Sequence, residues 1–260
     1  MLKISSLVSG IGLLLSVCCC FWQCAPSEST SADTTASTEP AKDTLSFCLL
    51  NYYEPLSDEK RGGIYEDYAT YLAERLDKVP KFVYLNSAYF NRPVRDGIRK
   101  GICDCQMGHP IEEEEPWLIP KKVRQSHAYT SIGYALATAD PEIQDLEDLA
   151  GKRVVAMAQA PPMTTLGDLE DIRLQIMINE QKMMELLDQG EVDAVVAWGP
   201  KLYQLNQDNF DSRFKVYNTS YMWKVAILTQ DKDSVLMDEI NGIIDEQPGK
   251  FQAIAAAYGL

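Results

Sequence analysis

The chain has 260 residues and a formal net charge of -14, from 24 basic and 38 acidic side chains. Hydrophobic residues make up 46% and charged residues 24% of the sequence, which excludes a disordered or fibrous chain. The acidic balance argues against nucleic acid and against charge-driven docking on anionic membranes, because both need clustered lysine and arginine. The two histidines, His109 and His127, argue against a histidine-rich metal site, and we expect neither a metal nor a cofactor.

The N-terminus has the features of an export signal. Lys3 precedes an apolar run over residues 7–17, which is shorter than the roughly 20 apolar residues of a membrane-spanning helix. The run ends in Leu15-Ser-Val-Cys18, which is similar to a bacterial lipobox. We therefore predict a lipoprotein-type signal peptide at 1–24 with Cys18 as the lipidated residue. A plain cleaved signal or an anchor helix is the alternative, and three more cysteines are alternative attachment points: Cys19, Cys20 and Cys24.

A polar segment separates this signal from the rest of the chain. Residues 25–43 are mostly serine, threonine, alanine, proline and acid, with no aromatic residue. Such a segment cannot bury enough apolar surface to fold, so we predict a disordered tether. We expect the folded domain at 44–260, in the periplasm and tied to a bacterial membrane through the lipid anchor only.

Strand-like and helix-like segments alternate along the domain. Apolar runs predict strands at 45–50, 82–85, 103–107, 128–138, 153–157, 192–197, 214–217 and 225–228. Apolar residues at helical spacing predict helices at 65–76, 94–100, 145–149, from about 164, 181–187, 234–246 and 251–258. Strands separated by helices indicate an α/β fold with mostly parallel sheets. In both halves of the domain a glycine ends a helix before a strand, at Gly101 and at Gly190, which favours two similar lobes.

Five segments in this order are similar to family 3 of the periplasmic solute-binding proteins. They are Phe47-Cys-Leu-Leu-Asn51, Gly63-Ile-Tyr-Glu-Asp67, residues 146–154, residues 186–196 and Ala255-Ala-Ala-Tyr-Gly259. The resemblance implies a type II periplasmic-binding-protein fold, with two α/β lobes joined by two crossing strands near Tyr134 and Ala226. Lobe one is then expected at 44–130 and 228–260, and lobe two at 132–222.

Two further segments resemble the quinoprotein-dehydrogenase-associated subgroup of that family. They are Cys103-Asp-Cys-Gln-Met-Gly-His-Pro110 and Val195-Val-Ala-Trp-Gly-Pro200. The resemblance implies a non-catalytic accessory or maturation factor of a PQQ-dependent methanol or alcohol dehydrogenase. It also implies a disulfide between Cys48 and Cys103, which an oxidising compartment permits. Cys105 is the alternative partner of Cys48. Cys103 and Cys105 point to opposite faces of one strand, so they are poorly placed to bridge each other.

One departure from the family pattern concerns the ligand. Amino-acid binders of the family hold the ligand carboxylate with an arginine, where this chain has four consecutive glutamates at 112–115. Arg124 is nearby in sequence but does not match the family position. Like charges repel, so we expect that no common amino acid binds. The alternative function is the substrate-binding component of an ABC importer for a small polar solute, working with a membrane permease.

Ligands of such folds lie between the lobes, at the carboxyl ends of strands. The residues expected there, which we predict to bind the ligand, are Asn51, Tyr52, Tyr53, Glu54, Gly108, His109, Gln159, Thr164, Thr165, Trp198 and Gly199. Aromatic rings offer flat apolar surfaces, and threonine hydroxyls at a helix start suit an anion. The alternatives are core packing for the tyrosines, a structural histidine, and packing of Trp198 on a partner protein.

The sequence carries no motif of a known enzyme mechanism. It lacks the Gly-x-Ser-x-Gly elbow, the phosphate loop and the Gly-x-Gly-x-x-Gly fingerprint. We therefore expect no catalytic residue. A cleft enzyme related to family 3 dehydratases remains an alternative, in which Glu54 or His109 would be needed for turnover.

Overall fold

The computed structural model describes residues 43–51, 53–86, 91–111 and 120–260. The predicted signal peptide, the lipidation site Cys18 and most of the predicted tether lie outside these residues. Tyr52 and the glutamates at 112–115 also lie outside them. Among the described residues, no helix combines the length and the apolar character needed to cross a membrane.

Strands and helices alternate through the described part of the chain. The strands are β1 (Thr44–Leu50), β2 (Val79–Leu85), β3 (Cys105–Pro110), β4 (Val123–Gln125), β5 (Thr130–Thr138), β6 (Arg153–Met157), β7 (Arg173–Met177), β8 (Ala194–Trp198) and β9 (Lys215–Gln230). The α-helices are α1 (Ile64–Arg75), α2 (Asn91–Asp96), α3 (Met163–Asp168), α4 (Glu180–Asp188), α5 (Gly199–Asn209), α6 (Ser234–Glu246) and α7 (Pro248–Ala257). Short 3-10 helices lie at Ile98–Lys100 and Leu146–Leu149.

The strands form one hydrogen-bonded sheet in the order β2-β1-β3-β9-β5-β8-β6-β7, with β4 also paired to β9. Pairing is parallel in β2-β1-β3 and in β8-β6-β7, and antiparallel wherever β5 or β9 takes part. The expectation of mostly parallel sheets is therefore wrong for the centre of the molecule. The reason is that β5 and β9 run in opposite directions as they pass between the two parallel groups.

Two α/β lobes lie on either side of these crossing strands. Lobe one contains β1–β4 with α1, α2, α6 and α7, and lobe two contains β6–β8 with α3–α5. In lobe one the Tyr68 and Phe251 rings stack with centroids 5.6 Å apart, and the Tyr68 hydroxyl donates to the Phe251 carbonyl over 3.2 Å. Burying one such ring contributes about 1.5–3 kcal/mol. Lobe two has apolar clusters on both faces of its strands, because helices cover both sides.

The crossing strands approach each other unusually closely at Gly133. A Cβ atom at this position would lie 2.1 Å from the Tyr221 carbonyl oxygen, so only glycine fits without a backbone shift. The β5–β9 register shifts between Gly133 and Ala135, which is a β-bulge that changes the direction of the strand at Tyr134. This bulge positions Tyr134 for the site described below.

Several predicted boundaries need correction. The strands expected at 214–217 and 225–228 are one 16-residue strand, β9, because pairing with β5 continues through the polar residues between them. The strand expected at 103–107 is Cys105–Pro110, so Gly108 and His109 lie within β3 and do not follow it. Strands β4 and β7 and helix α5 were not predicted at all.

Candidate functional site

A cavity of about 660 Å³ lies between the two lobes. Its walls come from both lobes and from the crossing strands that form its floor. Lobe one supplies Tyr53, Glu54, Gly108 and Pro110; the crossing strands supply Ile132, Tyr134, Trp223 and Val225; lobe two supplies Met157, Pro161, Glu180, Trp198 and Lys201. This volume is in the range of small-molecule sites, which are concave and mostly apolar with a few polar groups.

Three aromatic side chains line this cavity together, and we call them the aromatic triad: Tyr134, Trp198 and Trp223. Tyr134 on β5 lies directly opposite Trp198 on β8, so their side chains share one face of the sheet. The two rings meet edge to face with centroids 5.5 Å apart, and Tyr134 meets Trp223 in the same way at 6.1 Å. The triad thus depends on strand register and on the bulge beside Tyr134.

Two tyrosine hydroxyls lie in the same region and stay protonated at neutral pH. Burial raises the pKa of Tyr53 well above its usual range, and the nearby Tyr134 raises it further. Burial also raises the pKa of Tyr134, with an additional contribution from the negative charge of Glu180. Tyr53, Tyr134 and Glu180 line the same cavity, and each of the two hydroxyls keeps its proton as a hydrogen-bond donor.

An ion pair crosses the cavity from one lobe to the other. Lys201 Nζ on α5 lies 3.6 Å from a Glu54 oxygen in lobe one. Arg61 lies 2.9 Å from the same carboxylate, and Lys201 Nζ also donates to Gln204 Oε1 over 2.7 Å. The cation of Lys201 is therefore already partnered, and Glu54 lies between two cations.

Glu180 is in a different position. It is the first residue of α4, where the helix dipole favours a carboxylate. No other side chain in the described part of the chain forms a hydrogen bond or an ion pair with Glu180. Glu180 is half-buried and lines the cavity, so its charge is available to a ligand.

Trp198 is the last residue of β8, directly before α5, and it lines the cavity. Helix α5 begins at Gly199 with Pro200 in its first turn, where the missing proline N–H costs nothing. A Cβ on Gly199 would lie 2.7 Å from the Gly133 carbonyl oxygen, so the helix start packs tightly on β5. The Trp198 indole Nε1 is buried and has no hydrogen-bond partner among the residues that the structure describes.

The structure brings some of the residues predicted to bind a ligand into this cavity and leaves others outside. Those that line it are Tyr53, Glu54, Gly108 and Trp198. Tyr52 lies outside the described residues. Those that do not line the cavity are Asn51, His109, Gln159, Thr164, Thr165 and Gly199.

The first two of these six residues have structural environments of their own. Asn51 is buried and fixes the loop after β1: its amide nitrogen donates to Asn86, and its amide oxygen accepts from the Glu59 backbone N–H. His109 lines a smaller cavity of about 20 Å³, which adjoins the first because Tyr53, Gly108 and Pro110 line both. Burial lowers the pKa of His109, which favours the neutral ring.

The threonine hydroxyls at the start of α3 do not line the cavity. Thr165 Oγ1 is hydrogen-bonded to the Tyr221 hydroxyl over 2.7 Å, while Gln159 and Thr164 are exposed. Pro161 is the residue of this turn that reaches the cavity. Helix α3 has only 6 residues and no side-chain cap at Pro162, and the anion site expected at its start stays a prediction.

The residues predicted to bind a ligand do not include several that line the cavity. These cavity residues are Pro110, Ile132, Tyr134, Met157, Pro161, Glu180, Lys201, Trp223 and Val225. Four of these lie within the crossing strands β5 and β9 and not at a strand end. The alternation of Ile132 and Tyr134 within a predicted strand was the available signal for one shared face.

The cysteines of the domain form one bridge. Cys48 and Cys103 form a disulfide with their Cα atoms 5.6 Å apart, the pair that the family resemblance implies. Cys105, the alternative partner, is free and buried, and burial raises the pKa of its thiol well above the usual range. Within the described ranges, no group of three or more potential ligands is arranged to hold a metal ion.

A second cavity, of about 590 Å³, lies on the side of α6 and α7. It is lined by residues from the start of β5, by Lys224 of β9 and by the C-terminal Leu260. The aromatic triad and the glutamates of the first cavity do not contribute to it.

Comparison with known proteins identifies the fold. No protein-family model and no curated protein matches the sequence. Among solved structures, substrate-binding domain 2 of GlnP from Lactococcus lactis, in its open conformation, has a TM-score of 0.67 at 17% identity, covering 85% of this chain and 97% of that one. MxaJ from Methlophaga aminisulfidivorans has a TM-score of 0.61 at 19% identity, covering 83% and 98%. An ancestral arginine-binding protein bound to arginine has a TM-score of 0.51 at 21% identity, covering 84% and 99%.

Proposed function

We propose that this chain, which has the type II periplasmic-binding-protein fold of solute-binding proteins, holds a small organic solute between its lobes and performs no chemistry on it. The observation that carries the proposal is the cavity of about 660 Å³, which both lobes and both crossing strands line. A ligand that contacts both walls stabilises the closed arrangement, because the full set of contacts exists only there.

The lobe boundaries of the sequence prediction fit this mechanism. Residues 44–130 and 228–260 would move as one body and residues 132–222 as the other, with β5 and β9 as the hinge. The ion pair between Glu54 and Lys201 joins the two bodies across the cavity. We propose that this pair contributes to closure alongside the ligand.

We further propose that the protein works outside the cytoplasm, in the periplasm. The disulfide between Cys48 and Cys103 supports this, because such bonds form and persist in oxidising compartments. The predicted signal peptide and the predicted lipid anchor at Cys18 agree with the same location.

The first candidate role is that of an accessory or maturation factor for a PQQ-dependent alcohol dehydrogenase. Two sequence segments carry the resemblance to that subgroup, and both contribute to the cavity: Gly108 and Pro110 come from one, and Trp198 from the other. The fold shared with MxaJ is consistent with this role. A pull-down from native membranes is expected to recover a quinoprotein dehydrogenase.

The second candidate role is that of the substrate-binding component of an ABC importer. Its support is the preformed cavity, which has the size of a small-molecule site. In this role the pull-down recovers a permease, and the neighbouring genes encode importer subunits. A neighbouring pair of genes for a PQQ dehydrogenase and a cytochrome would favour the first role.

Solute binding itself is tested by thermal-shift screening of the full-length chain with neutral, cationic and anionic small solutes. A ligand at 100 times its Kd stabilises by about 2.7 kcal/mol, which raises Tm by roughly 5–11 °C for a domain of this size. We expect no common amino acid to do so, because no arginine lines the described cavity and Lys201 is already paired. If no solute of any charge shifts Tm, the proposal is wrong.

A catalytic role would show itself differently. Glu54 is paired with Arg61 and Lys201, and no hydrogen bond or ion pair joins it to His109 in the described part of the chain. We expect that the wild type does not convert a bound solute into another compound. The variants Glu54→Gln and His109→Ala should not convert it either. Turnover by the wild type that either substitution abolishes would establish an enzyme.

A further inference from the structure

We infer that the solute held between the lobes is an organic ammonium ion. This inference rests on the proposed function and names the chemical class of the ligand. It is drawn from three features of the cavity: an aromatic surface, one carboxylate without a partner in the described chain, and a lysine cation that already has two partners.

The aromatic triad provides the surface. Tyr134 is in contact with both Trp198 and Trp223, at centroid distances of 5.5 and 6.1 Å. The faces of such rings carry negative electrostatic potential, so an alkylammonium group is attracted to them while its methyl or methylene groups cover the apolar surface. Tyr53 adds a fourth aromatic side chain from the opposite lobe.

The charges of the cavity select a cation over an anion. Two glutamates and one lysine line it. Lys201 is engaged by Glu54 at 3.6 Å and by Gln204 at 2.7 Å, so an anionic ligand would compete with existing partners. Glu180 has no such partner in the described chain, and it lines the same cavity as Tyr134, Trp198 and Trp223. A ligand ammonium between Glu180 and the triad would meet both.

The net negative charge of the whole chain also favours a cationic ligand over an anionic one. With a net charge of -14, the protein attracts cations and repels anions over long distances. This long-range effect is weakened by salt, whereas the contact with the half-buried aromatic rings is screened much less. Binding of an ammonium ion should therefore weaken at higher ionic strength without being lost.

The test is calorimetric titration of the full-length chain with four ammonium probes: tetramethylammonium, choline, methylammonium and putrescine. The matched control for choline is 3,3-dimethyl-1-butanol, which has the same shape but no charge. We expect at least one probe to bind, and we expect choline to bind at least about tenfold more tightly than the neutral analogue.

Two substitutions locate the site. Glu180→Gln keeps the side-chain shape and removes the charge, so it should weaken binding of the ammonium probe about tenfold. Glu239→Gln, on the exposed face of α6, changes the net charge equally and should leave the affinity unchanged. Equal affinities of these two variants would overturn the inference.

The outcomes separate this inference from the proposed function. If a neutral or anionic solute binds and none of the four ammonium probes does, the protein is a solute-binding protein but the inference is wrong. The same conclusion follows if choline and its neutral analogue bind equally well. If no solute of any charge binds, the proposed function itself fails. The comparison of choline with its analogue uses the wild-type protein and does not depend on any variant folding.

Discussion

Gly133 gives the sharpest prediction about how the site is built. A Cβ on this residue would lie 2.1 Å from the Tyr221 carbonyl oxygen and 2.7 Å from the Met222 Cα, both of which belong to the partner strand. Since ordinary contacts of this kind begin near 3.4 Å, Gly133→Ala must separate the crossing strands by about 1 Å. Tyr134, the next residue, would move with its strand.

The size of the effect follows from the rigidity of the sheet. Overpacking of this kind costs about 1–3 kcal/mol, and more where backbone atoms must move. For a domain of this length, that lowers Tm by roughly 2–12 °C. Gly167→Ala is the matched control, because nothing lies within 4 Å of a Cβ there and the residue is inside helix α3. It should raise stability slightly, by up to about 1 kcal/mol.

Differential scanning calorimetry measures the change in Tm, and near-ultraviolet circular dichroism reports the packing of the aromatic triad. We expect Gly133→Ala to lower Tm and to change the aromatic signal, and Gly167→Ala to do neither. If both variants have the wild-type Tm and the wild-type spectrum, the close approach at Gly133 and its role in positioning Tyr134 are wrong.

Three further predictions concern stability and opening. Replacing Cys48 and Cys103 together by alanine removes a bridge between residues 55 apart in sequence, and should lower the unfolding free energy by about 4 kcal/mol in denaturant titrations without reductant. Lys201→Gln removes the cation that joins Glu54 across the cavity; it should favour the open state by about 1 kcal/mol and increase the radius of gyration in small-angle scattering. Burial lowers the pKa of His109, so below about pH 6.5 the unfolded chain takes up a proton that the folded chain does not. Stability therefore falls as the pH drops through that value, and His109→Asn should flatten this dependence in urea titrations at pH 5 to 8.

Each of these has a result that would contradict it. Equal stabilities of the wild type and the double cysteine variant would show that the bridge contributes nothing in solution. An unchanged radius of gyration for Lys201→Gln would mean that the ion pair does not hold the lobes together. A His109→Asn variant with the wild-type pH dependence would assign the acid sensitivity to other groups.

The elements of the two lobes were largely predictable from the sequence because their periodicity is strong. The predicted strand at Arg153–Met157 and the predicted helix at Ser234–Glu246 agree with β6 and α6 residue for residue. Both elements are flanked by turn or capping residues and have a regular apolar pattern. A buried strand or helix can be predicted from the local sequence when turn or capping residues mark where it begins and ends.

Elements without such patterns were missed. Helix α5 begins with Gly199-Pro200, which is typical of a loop, yet proline is compatible with the first turn of a helix. Strand β7 is at the sheet edge, where Gln175 and Ile176 are exposed, and with only 5 residues its alternation of polar and apolar residues is too short to be a strong signal. Its existence depends on pairing with β6, which the local sequence does not show.

The candidate site was predictable only for residues at or just after the carboxyl end of a strand, where ligands of such folds bind. This expectation led to Tyr53, Glu54 and Trp198, which lie after β1 and at the end of β8. Tyr134 and Trp223 lie in the middle of long strands. They reach the cavity because β5 and β9 cross beneath it, and this arrangement depends on tertiary contacts between residues far apart in sequence.

The central claim is that the ligand lies between the lobes, and hydrogen-exchange mass spectrometry of the full-length chain with and without a bound solute tests it most directly. We predict that backbone amides near Glu54, near Trp198 and in the crossing strands gain protection together when the solute is added. Protection confined to one lobe, or centred on the second cavity beside α6 and α7, would contradict the claim.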